Sequence, residues 1–242
     1  MAEAAVRELA PDGTLRAALN LSNFLIVSGQ SDAGEWRGIA PDMARAMAAA
    51  LGVGCEFVAY DTPGEVVRAA GSGAWNVAFI GADPARADRI VFAEPYVEIE
   101  AAYLVPPNST LRHIDEVDQP GRRIAAFRGS AYDLWLASHL RHASLVHGET
   151  FDDTFEHFRR GGIDALACLL PRLLADRQAW PGSRILPGAF MTVQQSVGTD
   201  AHRPKGARLV QQFVRDAKAS GEVAALIEKH RVEGLRVAPL SA

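Results

Sequence analysis

The chain has 242 residues, 48% of them hydrophobic and 22% charged, with a formal net charge of −4. This is globular composition with enough length for one large domain or two small lobes, and it lacks the basic footprint of a nucleic-acid binder. No apolar run approaches a membrane span. The start, MAEAAVRELAPDGTL, has no apolar core of signal-peptide length, so two expectations stand: a leader has been trimmed, or the chain is cytoplasmic.

In chain order, LRAALNL (15–21) predicts a strand, and FLIV is followed by a polar loop, SGQSDAGEWRG. PDMARAMAAALG (41–52) predicts a helix, with Pro41 and Asp42 in its first turn and Gly52 as its stop. CEFVAYD (55–61) reads as a strand, PGEVVRAAGSG (63–73) as a short helix and NVAFIG (76–81) as a buried strand. In DPARADRIVFAEPY (83–96), Asp83-Pro84 opens a short helix with Arg86 just inside it, followed by a strand. The pattern then repeats: strand 122–129, helix 130–142, a short strand in SLVHGE, helix 151–162, strand 164–170, helix 171–180 and a strand in SRILPG. Alternating strands and helices predict largely parallel, helix-covered sheets. Extended segments at 97–106 and 189–199 flank the second unit, and two amphipathic helices follow in PKGARLVQQFVRDAKASGEVAALIEKHRV.

The economical arrangement is two lobes joined by two crossing strands, with the last helices returning to the first lobe. We expect lobe 1 at 12–97 plus 197–235, lobe 2 at 104–190, and hinge strands at 98–103 and 191–196. A cleft between lobes is where small ligands usually sit. Cys55 and Cys168 read as small buried hydrophobes rather than a disulfide pair.

The order of motifs resembles the family 3 extracellular solute-binding proteins, polar amino-acid receptors of ABC transporters with the type II periplasmic-binding-protein fold. GIAPDMARAMAAALG (38–52) is similar to the family's Gly-x-x-x-Asp-hydrophobic helix, and GSGAWNVAFIG (71–81) to its "sGkyD" strand. DPARADRIVFAEPY is similar to the "TpeR…v.FS.PY" signature, GRRIAAFRGSAYD (121–133) to the "Gk.vgv..Gt" start of lobe two, and FRRGGIDALA (158–167) to "l..GrvDa". The resemblance covers residues 13–231.

It implies a protein that closes on a small polar, carboxylate-bearing, amino-acid-like solute, with an ABC permease as partner. It implies a monomer, no catalysis, no cofactor, no metal and no nucleic acid, and a periplasmic location if a leader was trimmed. In this family the arginine at the place of Arg86 pairs with the ligand carboxylate, and a guanidinium fork suits that task. In lobe two, Gly129-Ser130-Ala131 precedes a helix whose free N–H groups suit an anion, with the Ser130 hydroxyl beside them; Ser130 also reads as the helix cap. A carboxylate held by both lobes explains closure. Gly81 and Asp83 belong to the loop that leads to Arg86. Asn23 and Phe24 follow the first strand, where the family places an aromatic wall, and Tyr132 is a further aromatic candidate.

Two departures bear on specificity. The acid that often holds the ligand ammonium in this family falls at Leu169, with Cys168 and Leu170 beside it. The segment from Asn76 to Arg86 is also shorter than the family's usual spacing. A relocated acid is one reading: Glu98 and Glu100 alternate along the first crossing strand and share a face, which is either cleft or solvent. A ligand without an amine is the other. Gln194 and Gln195 point to opposite faces of the second crossing strand, so one of the two amides reaches the cleft. The rival functions are an enzyme on the same fold, similar to cyclohexadienyl dehydratases, and a ligand-sensing domain. His139 and His142 share a helix face but have no further ligand at metal spacing.

Overall fold

The computed structural model describes residues 2–232 and 234–240. The chain opens with helix α1 (Ala2–Leu9), then strands β1 (Thr14–Asn20), β2 (Gly29–Gln30) and β3 (Trp36–Arg37). Helix α2 (Ile39–Leu51), strand β4 (Gly54–Tyr60), helix α3 (Pro63–Arg68), and strands β5 (Val77–Gly81), β6 (Ile90–Phe92) and β7 (Val97–Val105) follow. Next come β8 (Arg123–Phe127), α4 (Ala131–His139), β9 (Ser144–Gly148), α5 (Phe151–Arg159), β10 (Ala165–Leu169), α6 (Leu170–Ala179) and β11 (Arg184–Ile185). The last elements are β12 (Met191–Asp200), α7 (Pro204–Ala219), α8 (Glu222–His230) and β13 (Leu235–Val237). The chain divides into two compact units: unit 1 runs to Glu98 and resumes at Gln194, and unit 2 is Ile99–Val193. The crossings fall inside β7 and β12.

In unit 1, β1 lies between β4 and β5, parallel to both, and β12 runs antiparallel to β5 and β6. β5 is buried along its whole length, as a strand covered on both faces must be. Helix α2 puts Ile39, Met43, Met47 and Ala48 into the core at helical spacing. Its entry requires glycine: Gly38 has φ +129°, and a Cβ there would lie 2.4 Å from the Ile26 carbonyl oxygen. Gly52 stops the helix in the left-handed region, as its place in the sequence predicts.

Helix α1, which the sequence pattern does not predict, is tied to α7. The Glu8 carboxylate accepts the N–H groups of Lys205 and Gly206 at 2.8 Å each, capping a helix that has no side-chain cap of its own. Leu9 covers Gly206 so closely that a Cβ would meet its side chain at 2.7 Å.

In unit 2, β8 pairs in parallel with β9 and β10, and β7 runs antiparallel to β10 and β11. Asp164 ties the edge of β8 by accepting from Arg122 and from the Arg123 N–H. The cysteines are free, Cys168 in the core of unit 2 and Cys55 only half-buried on β4, so the expectation of two buried cysteines is corrected at Cys55.

A buried ionic cluster lies in unit 1. Glu94 accepts from Lys218 Nζ at 2.7 Å and Arg215 Nε at 3.1 Å, and Lys218 also donates to the Pro239 carbonyl. The Lys218 and Glu94 side chains are 1% and 3% exposed. Burial alone would raise the Glu94 carboxyl, but Lys218 and Arg215 outweigh it and hold it below the usual range. A depressed folded value contributes stability above the unfolded value, roughly 4.3, and loses it as pH falls through the folded one. Glu94→Gln should therefore cost about 3 kcal/mol in urea unfolding at pH 7. The gap to wild type should narrow at pH 3; a gap independent of pH would contradict the assignment.

Candidate functional site

In unit 1 the candidate residues gather at the end of β5. Asp83 has extended backbone and accepts the Ala85 N–H at 2.8 Å, and Pro84–Arg86 form a single 3-10 turn. The sequence places Arg86 just inside a helix start, but the structure makes it the last residue of that turn. The turn folds its side chain back onto the strand: Arg86 is 3% exposed and donates to the Gly81 carbonyl at 2.5 Å. Burial pulls its guanidinium down to about 10, with Asp83 acting in the opposite direction, so the group keeps its charge at neutral pH. Across the sheet, Gln195 is in register with Gly81, and the Ala82 N–H donates to the Gln194 carbonyl.

Asn23 is buried, and its Oδ1 has no hydrogen-bond partner among the described residues; the Oε1 atoms of Gln194 and Gln195 share that state. Phe24 is 43% exposed, so its ring lies at the surface of unit 1 and not in its core. Glu98 and Gln194 contact each other, with Gln194 Nε2 donating to Glu98 Oε1 at 2.8 Å. The second Glu98 oxygen accepts from Arg236 Nε at 3.0 Å. Sequence reasoning missed Arg236, because nothing in the LRV tail marks a partner on a strand so far away.

In unit 2, Ser130 caps α4: its Oγ accepts the Asp133 N–H at 3.1 Å. Ala131 follows as the first helical residue, and both are buried. Gly129 supplies the left-handed step before the cap, with φ +72°. Asp133 accepts the Gly129 N–H with one oxygen and meets His147 Nε2 with the other, both at 2.8 Å. His147 was not a sequence candidate.

Tyr132 is 2% exposed, with its hydroxyl 3.5 Å from Cys168 Sγ, so it packs inside unit 2. Leu169 is buried at the end of β10. The carboxylate next along the chain, Asp176, lies on α6 and is engaged by Arg172 at 2.7 Å. Burial nevertheless raises the Asp176 carboxyl, against the pull of Arg172. His139 stacks on Trp135 at 4.0 Å. Among the described residues, no group of three or more His, Cys, Asp or Glu side chains is placed to hold a metal ion.

Unit 1 thus holds a buried guanidinium at Arg86, and unit 2 a helix start capped by Ser130. The family model of bacterial extracellular solute-binding proteins, family 3, matches residues 25–233. The chain belongs to this family.

Solved structures agree in fold. A mutant of ArgBP from T. maritima aligns with TM-score 0.74 at 20% identity, over 93% of this chain and 98% of that one. An ancestral amino acid-binding protein, described as a precursor of cyclohexadienyl dehydratase, gives 0.75 at 20% identity, over 93% and 97%. AbpA from Streptococcus pneumoniae, bound to L-arginine, gives 0.73 at 21% identity, over 93% and 98%. The fold is thus the α/β fold of the two-lobed periplasmic binding proteins. No curated protein matches the chain in sequence.

In this solute-binding protein the two thiols have different surroundings. Burial pushes Cys168 up to about 12 and also raises the half-buried Cys55. A thiol-reactive dye at pH 8 should label Cys55 slowly in the native protein and leave Cys168 untouched until unfolding. Labelling of Cys168 at the rate of Cys55 would contradict the packing around Tyr132 and Leu169.

Proposed function

We propose that this protein binds a small, carboxylate-bearing, amino-acid-like solute outside the cytoplasm and delivers it to an ABC permease. The observation that carries the reading is Arg86, a charged guanidinium buried where the family signature falls and turned onto the Gly81 carbonyl. A desolvated guanidinium is a strong partner for a carboxylate, because its planar donor fork matches the two oxygens. The turn Gly129-Ser130-Ala131 is the second proposed anion contact, and Asn23, Phe24 and Gln194 are proposed to shape the remainder. The Tyr132 ring acts from behind, through packing.

Two acids near the proposed contacts are already engaged, Glu98 by Arg236 and Gln194, and Asp133 by His147 and Gly129. With Leu169 at the family's acidic place, recognition rests mainly on the anionic end of the solute. Proteins of this fold named as amino-acid binders, including one bound to L-arginine and one complexed with lysine, support the amino-acid class.

A melting-temperature panel of amino acids, organic acids, ureides and aromatic carboxylates identifies the class, since a ligand well above its Kd raises the melting temperature by mass action. Arg86→Ala should weaken carboxylate binding by about 3 kcal/mol, roughly 150-fold. Arg86→Lys should lie between the two, keeping charge and losing the fork. Unchanged affinity in Arg86→Ala would overturn the site. The resemblance to a dehydratase precursor supports a second reading as an enzyme; turnover of a bound ring carboxylate, seen by product analysis, separates the two.

A further inference from the structure

A carboxylate beside an anion-binding turn is electrostatically unfavourable, yet Asp133 sits in the first turn of α4, 5% exposed. Its bonds show what it contributes. Gly129 adopts the left-handed conformation, outside any strand or helix, and its N–H goes to Asp133 Oδ2 at 2.8 Å. The Ser130 N–H goes to the Phe127 carbonyl, and the Asp133 N–H to Ser130 Oγ. Asp133 thus ties down the residue before the cap, while the N–H groups of Ala131 and Tyr132 remain the donors at the open end of the helix.

The opposite carboxylate oxygen meets His147 Nε2 at 2.8 Å. His147 lies on β9, in register with Ala126 of β8, the strand that leads into the turn. One imidazole therefore braces α4 from the neighbouring strand and supplies a donor that draws off the Asp133 charge.

We propose that Asp133 and His147 are positioning residues for the anion-binding turn at 129–131. Asp133 fixes the Gly129 N–H so that the Ala131 and Tyr132 N–H groups hold their direction, and His147 holds Asp133 and offsets its repulsion of an incoming anion. The role rests on the proposed anion contact in unit 2, while the geometry of the pair stands independently of it.

Amide hydrogen exchange on the unliganded protein tests the geometry. Asp133→Ala should speed exchange at Gly129 at least tenfold and leave the β8 amides of Ile124–Phe127 unchanged. His147→Leu should show a smaller loss of protection, and His147→Gln, which keeps a donor, should restore most of it. Unchanged Gly129 exchange in Asp133→Ala would overturn the proposal, as would equal loosening of Gly129 and β8, the mark of a merely structural role.

Calorimetric titration with L-arginine, L-glutamine, succinate and benzoate tests the consequence. Binding should weaken about fivefold or more in Asp133→Ala, although a negative charge has been removed, and His147→Gln should recover affinity that His147→Leu loses. Affinity that is unchanged or improved in Asp133→Ala overturns the positioning role alone. Wild-type protein that binds none of the four, with the Gly129 effect intact, overturns the proposed carboxylate contact alone.

Discussion

A buried guanidinium constrains everything around it. Taking a charge out of water is costly unless hydrogen bonds and opposite charge replace the lost hydration. Arg86 meets that requirement through local backbone. β5 ends at Gly81, Asp83 caps a single 3-10 turn, and the turn returns the side chain to the Gly81 carbonyl. β12 holds the end of β5 in place through the Ala82 N–H and the Gly81–Gln195 register. Asp83 adds an opposing charge, and in the proposed reading the planar donor fork takes the carboxylate of the solute.

The other acids follow the same logic of paired charge. Glu94 is neutralised by Lys218 and Arg215, Glu98 by Arg236, and Asp176 by Arg172. These contacts also secure the chain ends. Lys218 reaches the Pro239 carbonyl, the Ala238 N–H donates to the Tyr96 carbonyl, and Glu8 caps α7. Both the first helix and the last strand are therefore fastened to unit 1 by directional bonds, which is how such short elements hold their place.

The strands and helices with strong periodicity were legible in the sequence, within a residue or two at most ends. The pattern over 63–73 predicts too long a helix, since α3 stops at Arg68 and the following glycine-rich stretch forms turns. Helix α1 was not legible: it has eight residues, and its stability comes from Glu8 and Leu9 meeting α7 nearly two hundred positions later. The GQ and WR strands lie in a stretch whose sequence predicts a loop, because two-residue strands carry no period. Arg86 was legible as a candidate through its motif, while its burial and its place at the end of the turn were not. Phe24 and Tyr132 were aromatic candidates of similar kind, and only packing separates them, one at the surface and one in the core. Arg236 and His147 gave no signal, since each meets its acid through tertiary contact, at separations of 138 and 14 residues.

The most direct test of the central claim is a thermodynamic cycle between Arg86 and the ligand's carboxylate. Calorimetry would compare the tightest carboxylate ligand with its carboxamide, on wild type and on Arg86→Ala. If the guanidinium holds the carboxylate, wild type should prefer the acid by about 30-fold or more, and the variant should show almost no preference, a coupling of about 2 kcal/mol. A preference of equal size in both proteins would contradict the account, because the carboxylate would then be read by groups other than Arg86.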